Sequence, residues 1–177
     1  MRKSKISISG FKIGTAENRE GLTGVTVILA PDGGATAGVD VRGCAPGTRE
    51  TDLLDPRKTV QKIHAVVLSG GSAFGLEAAS GCVKYLAEQG VGFPIGNVCV
   101  PIVCSAVLFD LMIGDEKAYP DLLMGYEAAK SASSEFLSGC NGAGTGATVG
   151  KLLGFGNAMK SGAGSVSYTH LTLPTIA

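Results

Sequence analysis

The chain contains no tryptophan and only two histidines, His64 and His170. Scarce histidine removes the commonest metal ligand and the usual general base of serine and cysteine hydrolases. There is no H-E-x-x-H and no cysteine pair at ligand spacing, so no metal site is expected. The five cysteines, Cys44, Cys82, Cys99, Cys104 and Cys140, are odd in number, form no C-x-x-C and lie in apolar stretches. That pattern argues against a disulfide framework and for free buried thiols in a reducing compartment. Runs of like charge are missing too. Lys plus Arg and Asp plus Glu number 15 each, which leaves no electrostatic footprint for nucleic acid. The start, MRKSKISISG, has basic residues but no apolar stretch of signal-peptide length, so a cytoplasmic location is expected.

What is present is an apolar chain of one-domain size. Of 177 residues, 45% are hydrophobic and 17% charged, a composition that buries most of its length. From Gly90 to Phe109, "GVGFPIGNVCVPIVCSAVLF" carries no charge and has the length of a bilayer-spanning helix. Pro94, Pro101, Gly92, Gly96 and Asn97 would break such a helix repeatedly, so the stretch reads as extended, buried wall and no membrane contact is expected.

Along the chain, "TGVTVILA" from Thr23 to Ala30 is a β-branched strand, and the turn PDGG followed by "TAGVDV" predicts a hairpin. "RGCAPGTRETDLLDP" reads as a long loop. "HAVVLSGGSAFGLEAASGCVKYLAEQG" predicts a strand over Ala65–Leu68, a Ser-Gly-Gly turn and a helix from Ser72 to Gln89, with Ser72 as its cap and Gly90 closing it. A further helix is predicted over Tyr119–Phe136, with Leu122, Leu123, Tyr126, Ala129 and Ala132 inward. "SGCNGAGTGATVGKLLG" places glycine at 142, 144 and 146, a backbone almost without side-chain cover, before a short helix carrying Lys151.

Glycine-rich turns raise the question of phosphate binding. A P-loop fails here: Gly150-Lys151 is followed by Leu152, and Thr145 stands where the first glycine belongs. Gly142, Gly144 and Ala147 match G-x-G-x-x-A, but no strand leads into them and no acidic residue follows at the required distance. His64, at the start of a strand, reads as a structural histidine. No cofactor is expected.

One serine-hydrolase design needs no histidine. If a peptide is cut just before a serine, the freed α-amino group, with an ordinary pKa of about 7.7–8.0, can take the proton of that residue's own hydroxyl. Ser165, after Gly162-Ala163-Gly164, has the flexible, uncluttered approach that such a cut requires. Asn141 is a candidate donor to the negative oxygen that develops, with backbone N–H groups of the 142–146 stretch assisting. Each has a blander reading, Ser165 as a loop serine and Asn141-Gly142 as an ordinary turn pair.

Together "GLTGVTVILAP", "GVDVRGCAPGTRETDLLDP", "HAVVLSGGSAFGLEAASG", "VPIVCSAVLFDL", "NGAGTGATVGKLLG" and "MKSGAGSVS" resemble the self-processing L-aminopeptidase/D-esterase family, which includes β-peptidyl aminopeptidases. The resemblance runs in order from about Gly21 to Ser167. It implies an α/β (α+β) protein of the N-terminal-nucleophile class: a four-layer αββα sandwich similar to ornithine acetyltransferase, made as one precursor that cuts itself into α and β chains. Carried onto this sequence, the cut falls between Gly164 and Ser165. Ser165 becomes the nucleophile, Asn141 corresponds to the oxyanion asparagine, and Gly70, Gly71, Ser72 and Phe74 border the substrate pocket. The implied partners are a small peptide, amide or ester substrate, the protein's own β chain, and further copies in a homo-oligomer.

In the family the β chain continues well beyond the nucleophile. Here "YTHLTLPTIA" stands in its place, so residues 1–167 are expected to form a single hydrolase domain lacking its β segment, with 168–177 a non-native read-through tail and the fragment itself inactive. An aminopeptidase acting through a Ser165 acyl-enzyme is the leading expectation. An acyltransferase resembling ornithine acetyltransferase and a catalytically silent binding domain are the alternatives.

Overall fold

The computed structural model describes the backbone of residues 2–5 and all of residues 8–165. The 168–177 segment and His170 lie outside the described residues. The strands are β1 (Arg2–Lys5), β2 (Lys12–Asn18), β3 (Thr23–Leu29), β4 (Thr48–Arg49), β5 (Ala65–Ser69), β6 (Phe93–Ile95), β7 (Val98–Val100), β8 (Val103–Val107), β9 (Glu135–Ser138), β10 (Thr148–Val149) and β11 (Met159–Lys160). Among the described residues two α-helices accompany them, α1 (Ala78–Glu88) and α2 (Leu122–Lys130). The fold is mixed α/β, with a five-stranded sheet in the order β2-β3-β5-β8-β4 at its centre.

Sequence patterning explains the middle of that sheet. β3 and β5 are β-branched runs in which Val25, Val27, Ala65 and Val67 turn to one face and are fully or almost fully buried. β5 pairs antiparallel with β3 and parallel with β8, and the parallel pair requires a long crossover, supplied here by α1. α1 and α2 lie over the Val25, Val27, Val67 and Val103 face. Burying each such valine contributes about 1.5–3 kcal/mol.

The helix pair is held close by small residues. A Cβ on Gly81 would land on the Leu122 carbonyl, and one on Gly125 would land on the Ala78 carbonyl. The inner side of α2 is therefore Gly125, Ala128 and Ala129, whereas Leu122 and Leu123, expected inward, are exposed. α2 is also shorter than predicted. Asp121 caps its start by accepting the Met124 N–H at 2.8 Å. It ends where the Ser131 hydroxyl donates to the Ala128 carbonyl and Ser133 bridges to Ile13 of the sheet edge.

Three further expectations are corrected. The segment 36–41 forms no strand, because both edges of β3 are taken by β2 and β5; what remains is a single bridge from Ala35 to Ile63. The helix after β5 opens as a 3₁₀ turn, Ser72–Glu77, and Ser72 sits at φ 52° without capping it. The uncharged 90–109 stretch is extended as read, but only its β8 half is buried. The β6–β7 hairpin leaves Ile95 and Val98 exposed. Among the described residues no helix is long and apolar enough to cross a membrane.

The opposite face of the sheet is covered at one end by Ile63, Ile102 and Cys104 with Leu53, Leu54 and Val66. At the other end Thr26, Ile28, Leu68 and Ala106 look into an open cavity. Small antiparallel pairs flank that cavity: β1 with β9, and β10 with β11.

Candidate active site

The cavity has a volume of about 300 Å³ and apolar walls. Its floor is the uncovered face of β2, β3, β5 and β8; its rim is Phe136 and Leu137 on one side and residues 162–165 on the other. Ser165 is exposed at this rim, with Gly164 beside it.

Two backbone pairings hold the Ser165 segment in place. Gly139 and Ala163 exchange N–H···O bonds of 2.7 Å each, and the Ser161 N–H donates to the Ala147 carbonyl at 2.9 Å. The single bridge from Gly139 to Ala163 sets the segment that ends at Ser165 beside the start of the loop that carries Asn141, and no hydrogen bond joins Ser165 to Asn141 among the described residues. The glycine with a steric reason is Gly162, whose Cβ would meet the Gly139 backbone at 2.6 Å. Gly164 takes no positive φ and a Cβ there would meet nothing within 4 Å, so neither strain nor crowding requires glycine at this exposed position.

Asn141 is buried, and its Nδ2 donates to the Ser138 carbonyl at a long 3.3 Å. An amide carries two N–H donors, and the Ser138 carbonyl takes one of them; Asn141 itself is not among the cavity's lining residues. The neighbouring backbone amides are not free as expected. Gly142 N–H donates to Glu17 Oε2 at 3.2 Å, Ala143 N–H to Thr26 Oγ1 at 3.1 Å, and Gly144 N–H to the Asn141 carbonyl at 2.9 Å. These bonds seat the loop on β2 and β3 instead of pointing its donors at the cavity.

The Ser-Gly-Gly turn stands behind the cavity. Leu68 and Ser69 reach its wall, whereas Gly70, Gly71, Ser72 and Phe74 are not among its lining residues. Phe74 stacks on Tyr119, ring centroids 4.6 Å apart. The turn is anchored by Asp110, a residue the sequence did not signal: its Oδ1 accepts the Gly71 N–H at 2.6 Å and its Oδ2 accepts the Thr23 hydroxyl at 2.8 Å. Gly146 of the glycine loop packs against the same carboxylate. Lone aspartates in apolar runs carry no motif, so only long-range contacts reveal this one.

The remaining candidate chemistry is structural. His64 is buried, its Nδ1 accepts the Ile102 N–H at 3.1 Å, and burial holds its pKa below the ordinary value. Cys82 is buried, with its thiol pushed up to about 12, far from a reactive thiolate. Cys44 and Cys140, expected buried, are exposed.

A helix pair over one face of a mixed sheet, with a glycine-rich loop and a serine at an apolar cavity on the other, defines a protein of the α/β class. The sequence profile of peptidase family S58 matches residues 6–172, and the chain belongs to that family. It is 44% identical over 161 residues to an uncharacterized aminopeptidase of Mycobacterium leprae, covering 86% of this chain and 42% of the relative. It is 36% identical over 149 residues to a 6-aminohexanoate-oligomer endohydrolase of Paenarthrobacter ureafaciens, covering 84% and 39%. Among solved structures, a Burkholderia sp. beta-aminopeptidase superposes with a TM-score of 0.59 at 17% identity over 82% of this chain and 45% of that one. A protein of Pyrococcus horikoshii OT3 superposes at 0.58 and 23% identity over 80% and 44%. These structural likenesses establish the fold. The chain spans 42% and 39% of the length of the two curated relatives named here.

Proposed function

We propose that the full-length protein is a self-processing aminopeptidase whose nucleophile is Ser165. The supporting observation is the exposed Ser165 at the rim of an apolar cavity, preceded by an unhindered Gly164, in a chain of a peptidase family. In the first reaction the Ser165 Oγ attacks the Gly164 carbonyl, the C–N bond breaks and an ester forms. Water then hydrolyses the ester, leaving a carboxylate on Gly164 and a free α-amine on Ser165. In turnover that amine accepts the Oγ proton as Oγ attacks the substrate carbonyl, then passes it to the departing amine. Water releases the acyl group by the same route in reverse. The second N–H of Asn141 is assigned to the tetrahedral oxyanion, a donor whose loss typically costs about 10²–10³ in rate.

The substrates of this reading are short peptides, amides or esters, with the acyl side seated against the apolar wall. The test is Ser165→Ala in the full-length protein. Wild type should yield a fragment whose N-terminal residue is Ser165, while the variant stays uncut and loses at least about 10³-fold in aminoacyl p-nitroanilide turnover. A Ser165→Ala protein that still divides into two chains removes the nucleophile from Ser165.

A further inference from the structure

Loops are ordinarily held by side chains, and the loop that faces Ser165 has few to offer. Residues 142, 144 and 146 on one side and 162 and 164 on the other are glycines; the two backbones meet directly at Gly144 and Gly162, and no side chain at these positions ties the segments together. One charged side chain spans them. The Lys160 ammonium donates to the Gly144 carbonyl at 2.9 Å, the Ala147 carbonyl at 3.2 Å and the Ser161 carbonyl at 3.1 Å. An ammonium has three N–H donors and no acceptor, so its capacity is filled by main-chain oxygens. Two of these belong to the loop that begins at Asn141, and the third to the segment that follows β11 and leads to Ser165.

We propose that Lys160 is a positioning residue: it clamps the Asn141–Ala147 loop against the segment that presents Gly164 and Ser165, and sets the geometry of both self-scission and turnover. The proposal rests on the assignment of Ser165 and Asn141 above. Hydrogen bonds from an ionised donor are stronger than neutral ones, and no carboxylate pairs with the exposed Lys160 among the described residues to divert it. Backbone bonds at Gly139–Ala163 and Ser161–Ala147 fix which residues lie opposite one another. The lysine adds the constraint those bonds lack, because it holds the Gly144 and Ala147 carbonyls around a single point.

The test uses the full-length protein and compares Lys160→Met, which keeps the apolar stem but removes every donor, with Lys160→Arg, which can reach the same carbonyls. A displacement of about 1 Å at a reacting centre costs about 10²-fold, so Lys160→Met should slow appearance of the Ser165 fragment by about 10- to 100-fold. It should lower kcat by a similar factor while KM stays within about twofold. Lys160→Arg should recover most of both. Should Lys160→Met not fold, Lys160→Leu, which also lacks a donor, replaces it with the same expectation. Folded Met or Leu variants that cut and turn over at the wild-type rate overturn the clamp, as does a loss of activity that only follows the fraction unfolded. A wild type that stays uncut removes the Ser165 reading and the clamp with it. A wild type that cuts beside a neutral variant that cuts equally fast removes the clamp alone.

Discussion

Val67 and Leu68 are neighbours on β5 that face opposite sides of one sheet, and their surroundings have little in common. Val67 is fully buried beneath the two helices, while Leu68 is 38% exposed on the cavity wall. Under the helices, glycine and alanine let backbones approach until no side chain could be added. Over the cavity, the same sheet is met by β9 and by the short segments 143–147 and 162–165. Tight packing and chemical access are therefore divided between the two faces, and stability should depend mainly on the first.

The severest way to break this division is to wedge the helices apart. Gly125→Val in the full-length protein places a branched side chain on the Ala78 carbonyl and should cost at least about 3 kcal/mol, read as a lowered urea midpoint or loss of soluble protein. An unchanged midpoint would contradict the close helix contact. A gentler comparison uses the two β5 neighbours. Val67→Ala should cost about 2 kcal/mol, and Leu68→Ala less than about 1 kcal/mol, although leucine loses more atoms. Equal losses would show that the cavity face is as closed as the helical one.

The smallest effect concerns His64, at the closed end of the cavity face. Its folded pKa is lowered by burial, so the unfolded chain takes up a proton near pH 6.5 while the folded one does not. Stability from the neutral ring is thus complete above about pH 6.5 and is lost as pH falls toward the depressed folded value, by at most about 1.4 kcal/mol per pH unit. Subtracting the stability profile of His64→Asn from that of wild type between pH 7.5 and about 5 should isolate this slope. A flat difference would place the ring in water.

Legibility in the sequence followed the range of the interaction. β3, β5 and the helix after the Ser-Gly-Gly turn were readable, because their signals, β-branched runs and a 3.6-residue period, lie within each segment. β2 was missed because "KIGTAEN" has small and polar residues in place of a strong strand pattern; it exists because β3 offers an edge and Gly14 lets the backbone of α2 come close. The end of α2 was misjudged for the converse reason, since its helical period runs on past the point where Ile13 captures Ser133. Within the site, Ser165 and Asn141 could be picked out by residue type, yet nothing local distinguished Asp110 or Lys160.

By itself, then, the sequence determined which residues can carry chemistry, where glycine removes side-chain cover, and the family to which the chain belongs, because all of these are properties of residue type in order. Only the tertiary structure decided that the Gly142 and Ala143 amides are spent on Glu17 and Thr26, that Asp110 joins the Ser-Gly-Gly turn to the start of β3, and that Lys160 spans the glycine segments. Such partners are 16 to 125 residues apart in the chain, and a hydrogen bond between them exists only once the sheet has brought both ends within about 3 Å.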